Sequence, residues 1–158
     1  PQDARINELN EKLNHTYIGY GVKGKARKER QVQQDSNAAS FGAANTTQRA
    51  ISKASKSYKN ADWDLVDAVE EDGVAVEEME VEALPDEMKG MDMEERKVFV
   101  AEKGAKRKAI QEEISQLNKD RRKYVDAERK KQSQDNTLDE AIIGTIRTQA
   151  TKKKFDFE

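Results

Sequence analysis

Apolar residues recur every three or four positions along most of the chain, which is the periodicity of a helix with one buried face. In the first segment, 1–24, this stripe ends at a glycine-rich loop over 19–24 and consists of Ile6, Leu9, Leu13 and Tyr17. In the second segment, 25–59, the stripe is clear only near the end, and small residues dominate the rest. Because Gly42 and its polar neighbours lower helix propensity, the pattern predicts either one helix or a kinked pair over 25–59.

The third segment, 60–91, combines many carboxylates with a short apolar run around one tryptophan. It predicts a short helix after residue 60 and an extended connector up to the turn that Pro85 and Gly90 bracket. A tryptophan is costly to expose and usually packs in a core. We therefore expect a structural anchor, rather than a platform for a ligand, formed by Trp63, Leu65 and Val66.

The longest periodic segment, 92–134, begins at Asp92 and Glu95, whose spacing is typical of a helix-starting capping box. Its apolar stripe is narrow, so this long helix needs a partner along its length. The best internal partner is 25–59, running antiparallel. A polar stretch over 132–136 then predicts a loop before a C-terminal helix and tail, 135–158. The predicted fold is all-α: one domain, 1–158, forming an elongated helical bundle on a long antiparallel helix pair.

Composition supports a thin core rather than a large globular one. Charged residues make up 38% and hydrophobic residues 35% of the 158 positions, against averages of about 25% and 45–50%. The charges are segregated, with net +6 over 1–61, −14 over 62–95, +7 over 96–131 and −1 over 132–158. The acidic connector can therefore fold back onto its basic flanks. Binding of a polyanion by the basic helices is the alternative function, disfavoured because the acidic block repels phosphate.

Several kinds of chemistry are excluded or disfavoured by residue type. Cysteine is absent and His15 is the one histidine, so thiolate and His-pair metal sites do not arise. Gly19, Gly21 and Gly24 match a dinucleotide-binding spacing, but no strand precedes them, so we interpret them as a helix–helix loop. The carboxylates over 62–72 lack the glycine of a calcium loop and are interpreted as a solvated helix face. We therefore predict no catalytic, cofactor or metal residues and a non-enzymatic protein.

An apolar cluster next to the glycine loop is the best candidate for a partner surface. It consists of Tyr17, Ile18 and Tyr20, which we expect to form an exposed patch of the kind that binds other proteins. The sequence therefore predicts a protein partner or self-association. It also contains no apolar run long enough to span a membrane.

Four blocks of sequence, in order, resemble a family of bacterial proteins. They are residues 9–21, 34–39, 58–68 and 84–97, which begin Leu-Asn-Glu-Lys, Gln-Asp-Ser-Asn, Tyr-Lys-Asn-Ala and Leu-Pro-Asp-Glu. They look like the helical region C-terminal to the von Willebrand factor A domain in proteins that carry a signal peptide. The resemblance implies an attached A domain in the native protein and a periplasmic or secreted location. It also implies that this chain is a separate C-terminal domain without the A domain's metal-binding loop.

Overall fold

The computed structural model describes the backbone of residues 1–156 and the side chains of residues 1–143. The described residues form five α-helices: α1 (Asp3–Asn14), α2 (Gly21–Ser40), α3 (Ala43–Lys53), α4 (Leu65–Asp72) and α5 (Met93–Asp156). Within these residues, β-type hydrogen bonding is limited to an isolated antiparallel bridge between Gly19 and Asp64. The predicted all-α class is confirmed. The last two residues of the predicted tail lie outside the described residues.

Gly42 decides how the segment 25–59 folds, and Gly21 decides where its first helix begins. Gly42 has φ +119°, and it separates α2 from α3. Residues that have a Cβ rarely adopt such a φ angle, so glycine at this position allows the chain to turn between the two helices. The segment is therefore two helices. The predicted loop over 19–24 is shorter than expected, because Gly21, at φ +69°, is already the first residue of α2.

The first core lies where α1 and α3 meet residues 110–117 of α5. α3 packs on both α1 and α2. The second half of 25–59, the segment predicted to pair with the long helix, therefore lies against the two preceding helices as well as against α5. The buried apolar residues of this core are Ile6, Leu9, Leu13, Tyr17, Ala50, Trp63 and Ile114. Ile114 brings α5 into it, as do the half-buried Ile110 and Leu117.

The second core lies under α4 and the acidic connector. α4 begins at Asp64, whose side chain accepts a hydrogen bond from the Asp67 amide, and ends at Gly73, with φ +64°. Three short 3-10 turns follow: Val76–Glu78, Val81–Ala83 and Asp86–Met88. This core buries Ile18, Leu65, Val66, Val76, Leu84, Met88 and Val100. The connector is thus a packed part of the fold.

The start of α5 follows the predicted capping box. The Asp92 amide donates to Glu95 Oε2 at 3.0 Å, and the Glu95 amide donates to Asp92 Oδ1 at 2.8 Å. The helix then continues through 132–136, where a loop was predicted. This stretch contains neither glycine nor proline, and its polar residues each cost a helix only about 0.7 kcal/mol or less.

The chain divides into two compact units, Pro1–Lys119 and Asp120–Glu158. The residues of α5 belong to both units, and 131–143 are all exposed. Within the described residues, the helices lack the long apolar stretch that a bilayer-crossing helix requires.

Candidate functional site

A buried arginine, Arg107 of α5, holds together three parts of the first unit. Its Nε donates to Thr16 Oγ1 at 3.0 Å, and its Nη2 donates to the Thr16 carbonyl at 2.6 Å. Nη1 and Nη2 also reach both carboxylate oxygens of Asp64, at 2.5 and 3.1 Å, and Nη1 reaches Asp67 Oδ1 at 3.1 Å. These five bonds use all five N–H groups of a guanidinium. Arg107 therefore has no donor left for a ligand.

Hydrogen bonds of the Ile18 backbone hold the turn after α1 against the start of α4, next to Arg107. Ile18 donates its amide to Asp64 Oδ1 at 2.8 Å and accepts one from the Leu65 amide at 2.8 Å. A Cβ added to Gly24 would lie 2.6 Å from the Gly19 carbonyl carbon, so the two glycines pack backbone against backbone. The glycines of the dinucleotide-like motif thus serve a close contact and a helix start, as the interpretation of a structural loop requires.

Two aspartates at the start of α4, Asp64 and Asp67, supply the negative charge that faces Arg107. Asp64 is 0% and Asp67 5% exposed, whereas Asp62, Glu70, Glu71 and Asp72 are exposed. The prediction of a solvated acidic face is therefore wrong for the two aspartates that face Arg107. Burial and the charge of Asp64 raise the pKa of Asp67. Burial alone would lower the pKa of Arg107, but hydrogen bonds and charge from Asp64 outweigh it and raise that pKa.

A second buried cation, Lys53 at the end of α3, lies among polar side chains of α1 and α2. Its Nζ donates to Asn10 Oδ1 at 3.0 Å and to Asp35 Oδ2 at 2.8 Å, and it contacts Asn14 Oδ1. Asp35 Oδ2 also accepts from Asn14 Nδ2 at 2.7 Å, and Asp35 Oδ1 accepts from Arg49 Nε at 3.0 Å. This cluster, Asn10, Asn14, Asp35 and Lys53, is called the Lys53 cluster below.

The two members of the central ion pair in the Lys53 cluster respond differently to burial. Burial lowers the pKa of Lys53 to about 8, although Asp35 opposes the shift. Burial would raise the pKa of Asp35, but hydrogen bonds from Lys53, Asn14 and Arg49 lower it overall. A lysine with such a pKa is partly a neutral amine near neutral pH, and a neutral amine is a nucleophile.

Tyr17 lies between the two cationic sites. Its ring centroid is 4.0 Å from Arg107 Cζ and 5.8 Å from Lys53 Nζ. The ring also stacks on Trp63, with centroids 5.8 Å apart, and meets Tyr58 edge-on. Burial raises the pKa of the Tyr17 hydroxyl. Tyr17 is therefore part of the first core and also lies beside both buried cations.

The predicted partner patch is largely internal. Tyr17 is 1% and Ile18 0% exposed, and Tyr20 is half-buried with its hydroxyl donating to the Ala61 carbonyl at 2.6 Å. The expectation of an exposed patch is wrong for Tyr17 and Ile18, because the turn after α1 folds under α4. The predicted anchors, Trp63, Leu65 and Val66, are all buried, at 4%, 0% and 1% exposure.

Sequence reasoning missed Arg107, Lys53 and Asp35, although two of them carried a signal. Arg107 lies seven residues from both Val100 and Ile114 on the apolar stripe of α5, and Lys53 lies three residues after Ala50 on that of α3. A charge on a buried stripe predicts a buried partner of opposite sign. Nothing in the pattern around Asp35 marked it as that partner.

Among the described residues, no three of the ligand types His, Cys, Asp and Glu come together in a way that could hold a metal ion. Comparisons with protein-family models, with curated proteins and with solved structures give no match. The resemblance to the A-domain-linked family therefore stays a prediction.

Proposed function

We propose that this chain is a non-enzymatic interaction module that self-associates through residues 120–143 of α5. One observation carries the proposal: Leu138 and Ile142 are 62% and 51% exposed. They lie four residues apart, and thus on one helical face. Ile143, at 49% exposure, widens the apolar surface.

The charges of the same stretch favour a second copy as the partner. Residues 121–131 carry six cations and two carboxylates, whereas 132–143 carry three carboxylates and no cation. Two antiparallel copies place the basic part of each helix opposite the acidic part of the other. A parallel arrangement would place like charges together, which is unfavourable.

The spacing of side chains suggests a register for that antiparallel pair. Tyr124, Lys131 and Leu138 recur every seven residues, as do Glu128, Asp135 and Ile142. When Tyr124 lies opposite Ile142 of the second copy, Lys131 lies opposite Asp135. Two of the three resulting layers contain a charged residue, so we expect a weak, concentration-dependent dimer.

The test is size-exclusion chromatography with light scattering on the whole chain over a range of concentrations and salt. The expected result is a monomer–dimer equilibrium that the double variant Leu138→Glu/Ile142→Glu shifts to monomer. Val22→Glu is the matched control, because Val22 is fully exposed on α2 and outside the proposed contact. A monomer at every concentration would refute the proposal.

Charge reversal separates the antiparallel pair from a non-specific hydrophobic contact. Lys131→Glu should weaken the dimer, because it places two carboxylates in one layer, and adding Asp135→Lys to the same chain should restore it. Loss without restoration would argue against the antiparallel register. Tight, salt-dependent binding to duplex DNA by a monomer would replace this proposal with the polyanion alternative.

The family resemblance extends this proposal to the native setting. A self-associating helical region beside a von Willebrand factor A domain, in the periplasm or outside the cell, would bring two A domains together. The sequence encoded immediately upstream of residue 1 tests this extension. An A domain and a signal peptide there would support it, and an unrelated domain would refute it.

A further inference from the structure

The Lys53 cluster brings an amine, an amide and a carboxylate into one buried triangle. Asp35 Oδ2 lies 2.8 Å from Lys53 Nζ and 2.7 Å from Asn14 Nδ2, and Nζ contacts Oδ1 of the same Asn14 amide. One carboxylate oxygen thus touches both a nucleophile and the leaving group of the amide it faces. Groups held this way react as one assembly, without the entropic cost of bringing them together.

Burial of the triangle makes its amine easier to deprotonate than an exposed lysine, although Asp35 opposes this shift. Lys53 is 0% and Asn10 4% exposed, and Tyr17 lies beside the amine. Burial lowers the pKa of Lys53 to about 8 against an ordinary 10.5. Desolvation of this kind is how proteins activate lysine as a nucleophile.

We propose that Lys53 and Asn14 join in an intramolecular amide bond that covalently links α3 to α1, with Asp35 transferring the proton. The neutral Nζ attacks Cγ of Asn14 and forms the new C–N bond. Asp35 accepts a proton from Nζ and delivers it to Nδ2, the Cγ–Nδ2 bond breaks, and ammonia leaves. One amine and one primary amide thus give one secondary amide and one ammonia, and Asp35 returns to its starting state.

The geometry selects Asn14 over Asn10 as the acceptor. Both side-chain oxygens face Lys53 Nζ, but Asn10 Nδ2 is 3.4 Å from Asp35 Oδ2, whereas Asn14 Nδ2 is at 2.7 Å. A leaving amine must receive a proton as it departs, so the shorter contact decides. Asn10 therefore positions the amine and is not the acceptor.

The first test is the intact mass of the folded, full-length chain after incubation above the pKa of Lys53. A bond predicts a mass lower than that of the sequence by one ammonia. Digestion with trypsin should give no cleavage after Lys53 and a branched peptide that joins the segments holding Asn14 and Lys53. Because the chain has no cysteine, a cross-linked species cannot be a disulfide.

Two results would overturn the proposal. One is the full sequence mass, with normal cleavage after Lys53, in which case the cluster is an ordinary hydrogen-bonded ion pair. The other is a loss of ammonia without a branched peptide, because an asparagine that cyclises on its own backbone loses the same mass.

Variants then assign the roles, with circular dichroism confirming that each remains helical. Lys53→Arg and Asn14→Ala should show the full mass, whereas Lys56→Arg, at an exposed lysine outside the cluster, should keep the deficit. Asp35→Asn preserves the shape but cannot accept a proton, so the deficit should form many-fold more slowly or not at all. An Asp35→Asn chain that loses ammonia as fast as the wild type would remove Asp35 from the reaction.

Discussion

Arg107 and Lys53 are both buried cations of the first unit, yet their surroundings suit different roles. Arg107 is matched bond for bond by two carboxylates and one threonine, and its Cζ lies 4.0 Å from the centroid of the Tyr17 ring. Lys53 meets one carboxylate and two asparagines. The first arrangement neutralises a permanent charge, whereas the second leaves an amine whose charge depends on its environment.

The two residues are not interchangeable, because a guanidinium and an ammonium respond differently to burial. A guanidinium stays protonated in proteins, so Arg107 presents a positive charge to Asp64 and Asp67 at any ordinary pH. An ammonium loses its proton once burial outweighs its partners, which makes a buried lysine a candidate for chemistry. The Arg107 site is therefore a structural joint, and the Lys53 cluster is the site where we expect a reaction.

The largest expected effect is the loss of Arg107. Arg107→Met leaves Asp64 and Asp67 buried without their cation, which typically costs about 3–5 kcal/mol. Urea unfolding followed by circular dichroism measures the loss. Lys108→Met, a neighbouring and exposed position, should change the stability by about 0.5 kcal/mol or less. An Arg107→Met chain as stable as this control would refute the structural role.

A conservative change tests the fork geometry itself. Arg107→Lys keeps the charge but offers three donors instead of five, so at least two of the present acceptors lose their bond. Each buried acceptor left unpaired costs about 1–3 kcal/mol. We expect Arg107→Lys to recover only part of the stability lost in Arg107→Met. Full recovery would show that charge, and not geometry, holds this site together.

A smaller effect is expected from the glycine contact that sets the turn beneath Arg107. Gly24→Ala forces a Cβ against the Gly19 backbone at 2.6 Å, and overpacking of this kind costs about 1–3 kcal/mol. The change should loosen the Thr16 side of the Arg107 site and leave the Lys53 cluster intact. Gly90→Ala is the control, since a Cβ there meets nothing within 4 Å. Equal thermal midpoints for the two variants would contradict this.

The last prediction concerns the pH dependence of a free Lys53 amine. In a chain with Asn14→Ala the amide bond cannot form, so Lys53 titrates, with its folded pKa below the unfolded 10.5. Between the folded pKa of about 8 and the unfolded pKa of 10.5, the unfolded state binds the Lys53 proton and the folded state does not. The free energy of unfolding therefore rises as pH increases through this range. Unfolding of Asn14→Ala should show this rise relative to Asn14→Ala/Lys53→Met. Parallel pH profiles would mean that burial does not perturb the amine.

The sequence by itself predicts the helical class, the start of α5 at Asp92 and the burial of Trp63, Leu65 and Val66. These features depend on neighbours within one or two helical turns, where periodicity and capping act directly. The pattern also marks Gly42 as the weak point of 25–59. It could not choose between a kink and a break, because the backbone angle at one glycine decides that.

Which charged residues are buried depends on contacts between helices that are distant in the chain. Asp64 and Asp67 look like their solvated neighbours in the sequence, and they differ only because Arg107, some forty residues further on, reaches them. Tyr17 and Ile18 appear available for a partner until α4 covers them. The Lys53 cluster likewise draws on three helices, since Asn14, Asp35 and Lys53 are brought together only by folding. A contact between residues distant in the chain leaves no periodic trace, so its chemistry is visible only in three dimensions.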